Sequence, residues 1–137
     1  MIKVGVIGSG SMGSGIAQVA ATAGHEVVLF DTNQEALEKA MVKLQKILAR
    51  LVEKGRIDAS TSTEIFGRIT PASNLNEMQG SGIVIEAIIE NLEIKKSVFS
   101  RLEEICGDDC VLATNTSSLS VAAIAAACKN PNRVIGV

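Results

Sequence analysis

Short apolar runs and helical apolar stripes take turns along this chain. Ile2-Lys3-Val4-Gly5-Val6-Ile7 is the first run, and Glu26-Val27-Val28-Leu29-Phe30 the second. Between them Ile16, Ala17, Ala20 and Ala23 recur at helical spacing, and these small residues suit a helix pressed onto a sheet, ended by Gly24. Thr32 and Glu35 have the spacing of a capping box. A long helix is predicted after them, with Leu37, Ala40, Met41, Leu44, Leu48 and Leu51 on one stripe, Ile47 and Val52 broadening it, and Gly55 stopping it. Its length carries it beyond the sheet. Residues 60–67 predict a short second helix, residues 68–70 a third strand cut by Pro71, and the stretch after that a polar loop.

Residues 82–89 are almost continuously apolar, as a central parallel strand buried on both faces requires. Glu86 interrupts this run and Glu90 closes it. A carboxylate there is costly unless paired, although at the carboxyl end of a parallel strand it faces the ligand crevice. Residues 92–106 predict an amphipathic helix with Ile94, Val98, Leu102, Ile105 and Cys106 inward. Val111-Leu112-Ala113-Thr114 is the next strand, followed by Asn115-Thr116-Ser117-Ser118. Ser120 is placed to cap an Ala-rich helix through Cys128, Asn130-Pro131 makes a turn, and residues 133–137 begin one more strand.

Strand and helix alternating throughout give an α/β fold, a doubly wound parallel sheet. Its crevice opens where the strand order reverses, at the carboxyl ends of the strands. Residues 8–13, Asp31, Glu90 and residues 115–118 all fall at such ends. The first of these, Gly8-Ser9-Gly10-Ser11-Met12-Gly13, has a strand before it, a helix after it and an acid about 20 residues on, which is the context a dinucleotide fingerprint needs. Gly8 allows the tight turn, Gly10 lets a pyrophosphate approach the backbone, and Gly13 allows close helix packing. The helix start at Ser11, Met12 and Gly13 offers N–H groups and a positive dipole end to the phosphates. Asp31 is placed to accept hydrogen bonds from the adenosine ribose. Its carboxylate would repel a 2′-phosphate, and Phe30, Thr32 and Asn33 supply no arginine, so the expected cofactor is NAD rather than NADP.

Composition narrows the partners. With 47% hydrophobic and 20% charged residues, the chain is globular rather than disordered. A net charge of -2 in which no basic cluster stands out, and no Trp or Tyr, argue against a nucleic-acid partner. No apolar run approaches the ~20 residues that span a bilayer, so no membrane partner is expected. The first strand begins at residue 2, leaving no room for a leader, so a cytoplasmic location is expected. Cys106, Cys110 and Cys128 read as reduced thiols, the first two straddling a helix end; no histidine accompanies them, and no metal site is expected. His25, the one histidine, lies in a connecting turn and reads as solvated. Arg50, Lys54 and Arg56 cluster near the end of the long helix, either simply solvated or binding an anion.

Taken together, the chain resembles the NAD-binding domain of the 3-hydroxyacyl-CoA dehydrogenases, and most of all the bacterial 3-hydroxybutyryl-CoA enzymes. The resemblance runs the whole length. It rests on residues 6–18 around the glycine loop, on Val84-Ile85-Glu86-Ala87-Ile88-Ile89-Glu90-Asn91, and on Asn115-Thr116-Ser117-Ser118-Leu119-Ser120. It implies a Rossmann-type sheet that is incomplete at its C-terminal end, with residues 1–137 as the NAD-binding domain. The resemblance also implies that Glu90 and Lys95 contact the nicotinamide half of NAD. Asn115 and Ser117 are then catalytic as well as cofactor-binding: they lie beside the nicotinamide and the thioester substrate, and the Ser117 hydroxyl bonds the reacting oxygen. Lys54 matches a family lysine near the CoA phosphates, whereas a family serine on the same helix is Ile47 here.

In the family, the last strand runs into His-Phe-Phe-Asn-Pro, whose histidine is the general base, and then into a helical domain that completes the CoA site and builds a homodimer. This sequence contains neither. The implied function of the complete protein is oxidation of (3S)-3-hydroxyacyl-CoA to 3-ketoacyl-CoA by hydride transfer to NAD, with an acyl-CoA as substrate. The 137-residue chain alone is expected to be inactive. Two other readings are a stand-alone NAD-binding or sensing module, and a β-hydroxyacid dehydrogenase of the 6-phosphogluconate type, which lacks Asn-Thr-Ser-Ser after the fifth strand.

Overall fold

A computed structural model describes residues 2–88, 91–115 and 118–136 of the chain. Six parallel strands form one sheet in the order β3-β2-β1-β4-β5-β6. They are β1 (Lys3–Ile7), β2 (Glu26–Phe30), β3 (Ile69–Pro71), β4 (Ile83–Glu86), β5 (Val111–Thr114) and β6 (Val134–Gly136). Helix α1 (Ser11–Thr22) joins β1 to β2, α2 (Gln34–Glu53) and α3 (Ala59–Gly67) join β2 to β3, α4 (Leu92–Ile105) joins β4 to β5, and α5 (Ser118–Ala126) joins β5 to β6. The chain winds outward from β1 in one direction and then, after crossing back, from β4 in the other. The switch point therefore lies between β1 and β4.

Both faces of the sheet are covered, which is why its central strands are continuously apolar. Along β2 the side chains divide by turns. Val27 and Leu29 pack with Ala17 and Ala21 of α1, Leu37, Leu44 and Leu48 of α2, and Ile65 of α3. Val28 and Phe30 face the other layer, with Phe99 and Leu102 of α4 and Ile124 of α5. Beside α1, half-buried Ile83 and Ile85 and exposed Met12 and Val19 line an open apolar groove of about 630 Å³. Among the described residues no helix is long and apolar enough to cross a membrane.

Several local expectations need correcting. The cap of α2 is Asn33, not Thr32: its side chain accepts from the Ala36 N–H at 3.1 Å, because Asp31 Oδ1 takes the Asn33 N–H at 2.9 Å and turns the chain one residue further. The crossover from β3 to β4 is not simply a polar loop. It contains a 3₁₀ turn, Leu75–Met78, and buries Ala72, Leu75 and Met78 over the sheet. In α4 the inward stripe is Lys95, Phe99 and Leu102, whereas Ile94 is 44% exposed. Helix α5 starts at Ser118, so Ser120 lies inside it rather than capping it. Arg133 precedes β6. It is buried, donating from Nε to the Cys110 carbonyl at 3.0 Å and from Nη2 to the Gly107 carbonyl at 2.6 Å. His25 is half-buried in the apolar groove rather than solvated.

Candidate dinucleotide-binding site

The turn out of β1 needs its glycines for different reasons. Gly8 has φ +103°, and its N–H donates to the Phe30 carbonyl at 2.7 Å, tying the loop to β2. A Cβ on Gly8 would lie 2.6 Å from the Ala87 carbonyl oxygen, and one on Gly13 would lie 1.7 Å from that of Gly8. Both positions therefore exclude a side chain. Gly10 differs: a Cβ there meets nothing within 4 Å. Gly10 is also the N-cap of α1, with no side-chain cap, and its carbonyl accepts from the Ser14 N–H at 2.9 Å. Helix geometry leaves the N–H groups of Ser11, Met12 and Gly13 without intrahelical acceptors, at the positive end of the dipole. Open space over Gly10, bounded by free donors, fits a pyrophosphate.

Asp31 stands just past β2, bonded to this loop. Its Oδ2 accepts from the Ser9 N–H at 2.9 Å and from the Ser9 hydroxyl at 2.7 Å. The Ser14 hydroxyl in turn donates to the Ser9 carbonyl at 2.8 Å. Burial raises the Asp31 carboxyl, but the N–H groups of Asn33 and Ser9 and the Ser9 hydroxyl outweigh it and hold the group below the usual aspartate value. It is thus a fixed anion at the edge of the crevice, suited to ribose hydroxyls and hostile to a phosphate.

Across the switch point, the ends of β4 and β5 meet on Glu86. This carboxylate is fully buried. Its Oε1 accepts from the Thr114 hydroxyl at 2.5 Å, and its Oε2 from the Ile88 N–H at 2.7 Å. The ammonium of Lys95 lies 3.2 Å from Oε2, with Lys95 itself 1% exposed. Glu86 therefore does not face the open crevice, and Lys95 is buried beside it. Asn115 follows β5, half-buried, its N–H donating to the Glu86 carbonyl at 3.0 Å. Glu90 and Ser117 lie outside the described residues.

The structure thus gathers Gly8, Gly10, Ser11, Met12, Gly13, Asp31 and Asn115 along one edge of the sheet, with Lys95 buried against Glu86. It does not bring Lys54 there. Lys54 caps the far end of α2, exposed, about 30 Å along the helix axis from the end near Asp31. Two contributors escaped the sequence reading, Ser9, which orients Asp31, and Thr114; Glu86 was singled out there, but its partners and its turn away from the crevice were not. A signal for its pairing with Lys95 existed. Lys95 shares a helical stripe with Phe99 and Leu102, and opposite charges on two buried stripes imply each other as partners.

Residues 3–137 match the protein family described as 3-hydroxyacyl-CoA dehydrogenase, NAD binding domain. The chain belongs to that family. NAD is accordingly its cofactor. This NAD-binding domain is 44% identical over 136 residues to the 3-hydroxybutyryl-CoA dehydrogenase of Clostridioides difficile, covering 99% of the chain and 48% of that protein. It is 45% identical over 134 residues to the 3-hydroxyadipyl-CoA dehydrogenase of Escherichia coli K12, covering 98% of the chain and 28% of that protein. The crystal structure of an Escherichia coli K12 3-hydroxybutyryl-CoA dehydrogenase superposes with a TM-score of 0.94 at 44% identity, over 99% of this chain and 29% of that one. The chain thus spans about half or less of the length of these relatives.

Proposed function

We propose that this chain is the NAD-binding half of a dehydrogenase that converts (3S)-3-hydroxyacyl-CoA to 3-ketoacyl-CoA, with 3-hydroxybutyryl-CoA among its substrates. The observation that carries this reading is the placement of Asn115 directly past β5, at the switch-point crevice that Gly10 and Asp31 border. It is supported by relatives that share 44% and 45% identity and are named for 3-hydroxyacyl-CoA substrates. Bound NAD supplies the hydride acceptor.

The chain's own residues then have separate tasks. Asp31 accepts from the adenosine ribose, and the first turn of α1 holds the pyrophosphate. Glu90 and Lys95 serve the nicotinamide half. Asn115 and Ser117 orient the substrate oxygen, since short polar side chains at a strand end position a small group without filling the pocket. Lys54 meets a CoA phosphate at the outer end of α2. The hydroxyl proton goes to the histidine that the family carries beyond its sixth strand. The helical domain that follows in the family completes the CoA site and makes the homodimer. Residues 1–137 form the NAD-binding domain of such a protein, which works in the cytoplasm without nucleic-acid or membrane partners.

The test compares this chain with the same chain continued through the rest of its gene, assayed for NADH oxidation with acetoacetyl-CoA. The longer protein should oxidise NADH with the thioester and not with the free 3-keto acid. The 137-residue chain should show no turnover, because losing a general base alone costs about 10²–10⁴-fold. Steady oxidation by the short chain would refute its inactivity. NADH oxidation with the free 3-keto acid in place of the thioester would refute the substrate class.

A further inference from the structure

We infer that Glu86 is a positioning residue for the nicotinamide half of the site, a buried carboxylate that holds the loop after β4 and the end of β5 in fixed relation without touching the cofactor. The inference rests on the reading of this domain as NAD-binding.

Among the described residues, the side-chain partners of Glu86 belong to segments that border the crevice. Thr114 is the last residue of β5, next to Asn115. Ile88 lies in the loop that leads from β4 toward Glu90. Lys95 sits in the first part of α4, whose cap Asn91 follows Glu90 and accepts from the Ile94 N–H at 3.1 Å. The Glu86 main chain adds a fourth tie, its carbonyl accepting from the Asn115 N–H. One residue thus joins the ends of two strands, the intervening loop and a helix start. On its other side, Ala87 donates from its N–H to the Ile7 carbonyl at 2.8 Å, and its own carbonyl is what a Cβ on Gly8 would strike. The glycine loop and the nicotinamide segments are therefore registered against each other through residues 86–88.

Packing alone does not account for this arrangement. Replacing a buried ion pair by apolar residues of similar volume is often neutral or stabilising. Among the described residues the buried charged side chains are Glu86, Lys95 and Arg133. Two of the three meet at this point. An apolar residue at position 86 would fill the space, but it could not hold a hydroxyl, a main-chain N–H and an ammonium in fixed directions. Directed bonds of that kind set the orientation of the groups they hold.

The experiment compares NADH with ADP-ribose, which keeps the adenosine, the pyrophosphate and the second ribose but lacks nicotinamide. Thr114→Val removes one bond to Glu86 and leaves every proposed cofactor contact intact, Thr114→Ser restores the hydroxyl, and Glu86→Gln removes the charge. Binding of both ligands is measured on the 137-residue chain. Glu86→Gln should weaken NADH about tenfold or more. Thr114→Val should weaken it in the same direction, Thr114→Ser should restore it, and ADP-ribose should stay within about twofold throughout. If Glu86→Gln does not fold, the Thr114 pair decides. Parallel losses for both ligands, or an unchanged NADH affinity, would overturn the inference. Failure of the unmutated chain to bind either ligand would instead overturn the NAD-binding reading, and the inference with it.

Discussion

Ser9 gives both its main-chain N–H and its hydroxyl to a single oxygen of Asp31. The middle residue of the glycine loop thus aims the acid at the end of the neighbouring strand, and a bond from Ser14 steadies Ser9 in turn. Ser9→Ala keeps one of these donors and removes the other. The cost should be about 1–2 kcal/mol of stability at neutral pH. The sign of its pH dependence follows from the lowered Asp31 carboxyl. A carboxylate depressed by folding stabilises above its unfolded pKa, and loses that contribution as pH falls through the folded value. The melting-temperature gap between the variant and the parent should therefore be full at pH 7 and close below about pH 4. A gap that stays constant into acid would show that the hydroxyl bond is not the cause.

Gly10 and Gly13 should respond differently to one added methyl. Gly10→Ala meets no atom within 4 Å, so its effect on stability should stay within about 1 kcal/mol, while its methyl occupies the space offered to the pyrophosphate. Gly13→Ala drives a methyl into the Gly8 carbonyl and should cost several kcal/mol or prevent folding, about the range of severe core overpacking or worse. Melting curves with NADH titrations separate the two. Gly10→Ala that melts normally and binds NADH unchanged would place the pyrophosphate elsewhere.

Asp31 should also decide between cofactors. A 2′-phosphate brought to about 4 Å from this carboxylate meets a repulsion of roughly 1–4 kcal/mol, and NADPH should bind about 5–900-fold more weakly than NADH. Asp31→Ala should narrow that gap mainly by losing NADH. Equal affinities in the unmutated chain would contradict the role given to Asp31.

Legibility differed from element to element, for physical reasons. The unit from β1 to β2 was readable because apolar periodicity, glycine spacing and the acid at position 31 all agree. The β5 strand was readable to the residue. In α4, counting apolar residues alone rejected Lys95 and placed Ile94 inward, because a buried lysine is legible only when its partner on another element is considered at the same time. The cap of α2 moved by one residue for a similar reason: Asp31 holds the Asn33 N–H, a tertiary commitment that local spacing does not record. The β3–β4 crossover looked polar because its exposed Ser73, Asn74, Asn76, Glu77 and Gln79 outnumber the three residues, Ala72, Leu75 and Met78, that it buries. Of the site, the glycine loop and Asp31 were visible as a motif. Glu86 was visible as a carboxylate in need of a partner, but its partners, and the parts played by Ser9 and Thr114, became visible only with strands β1, β2, β4 and β5 side by side.

The measurement that bears most directly on the account is a titration of the 137-residue chain with NADH, followed by the fluorescence of the cofactor itself, since a chain without Trp or Tyr contributes no competing emission from those residues. The account predicts saturable one-to-one binding that NAD and ADP-ribose displace, that Gly10→Ala abolishes without lowering the melting temperature appreciably, and that NADPH cannot match. Absence of saturable binding by a folded chain, or binding that Gly10→Ala leaves intact, would contradict it.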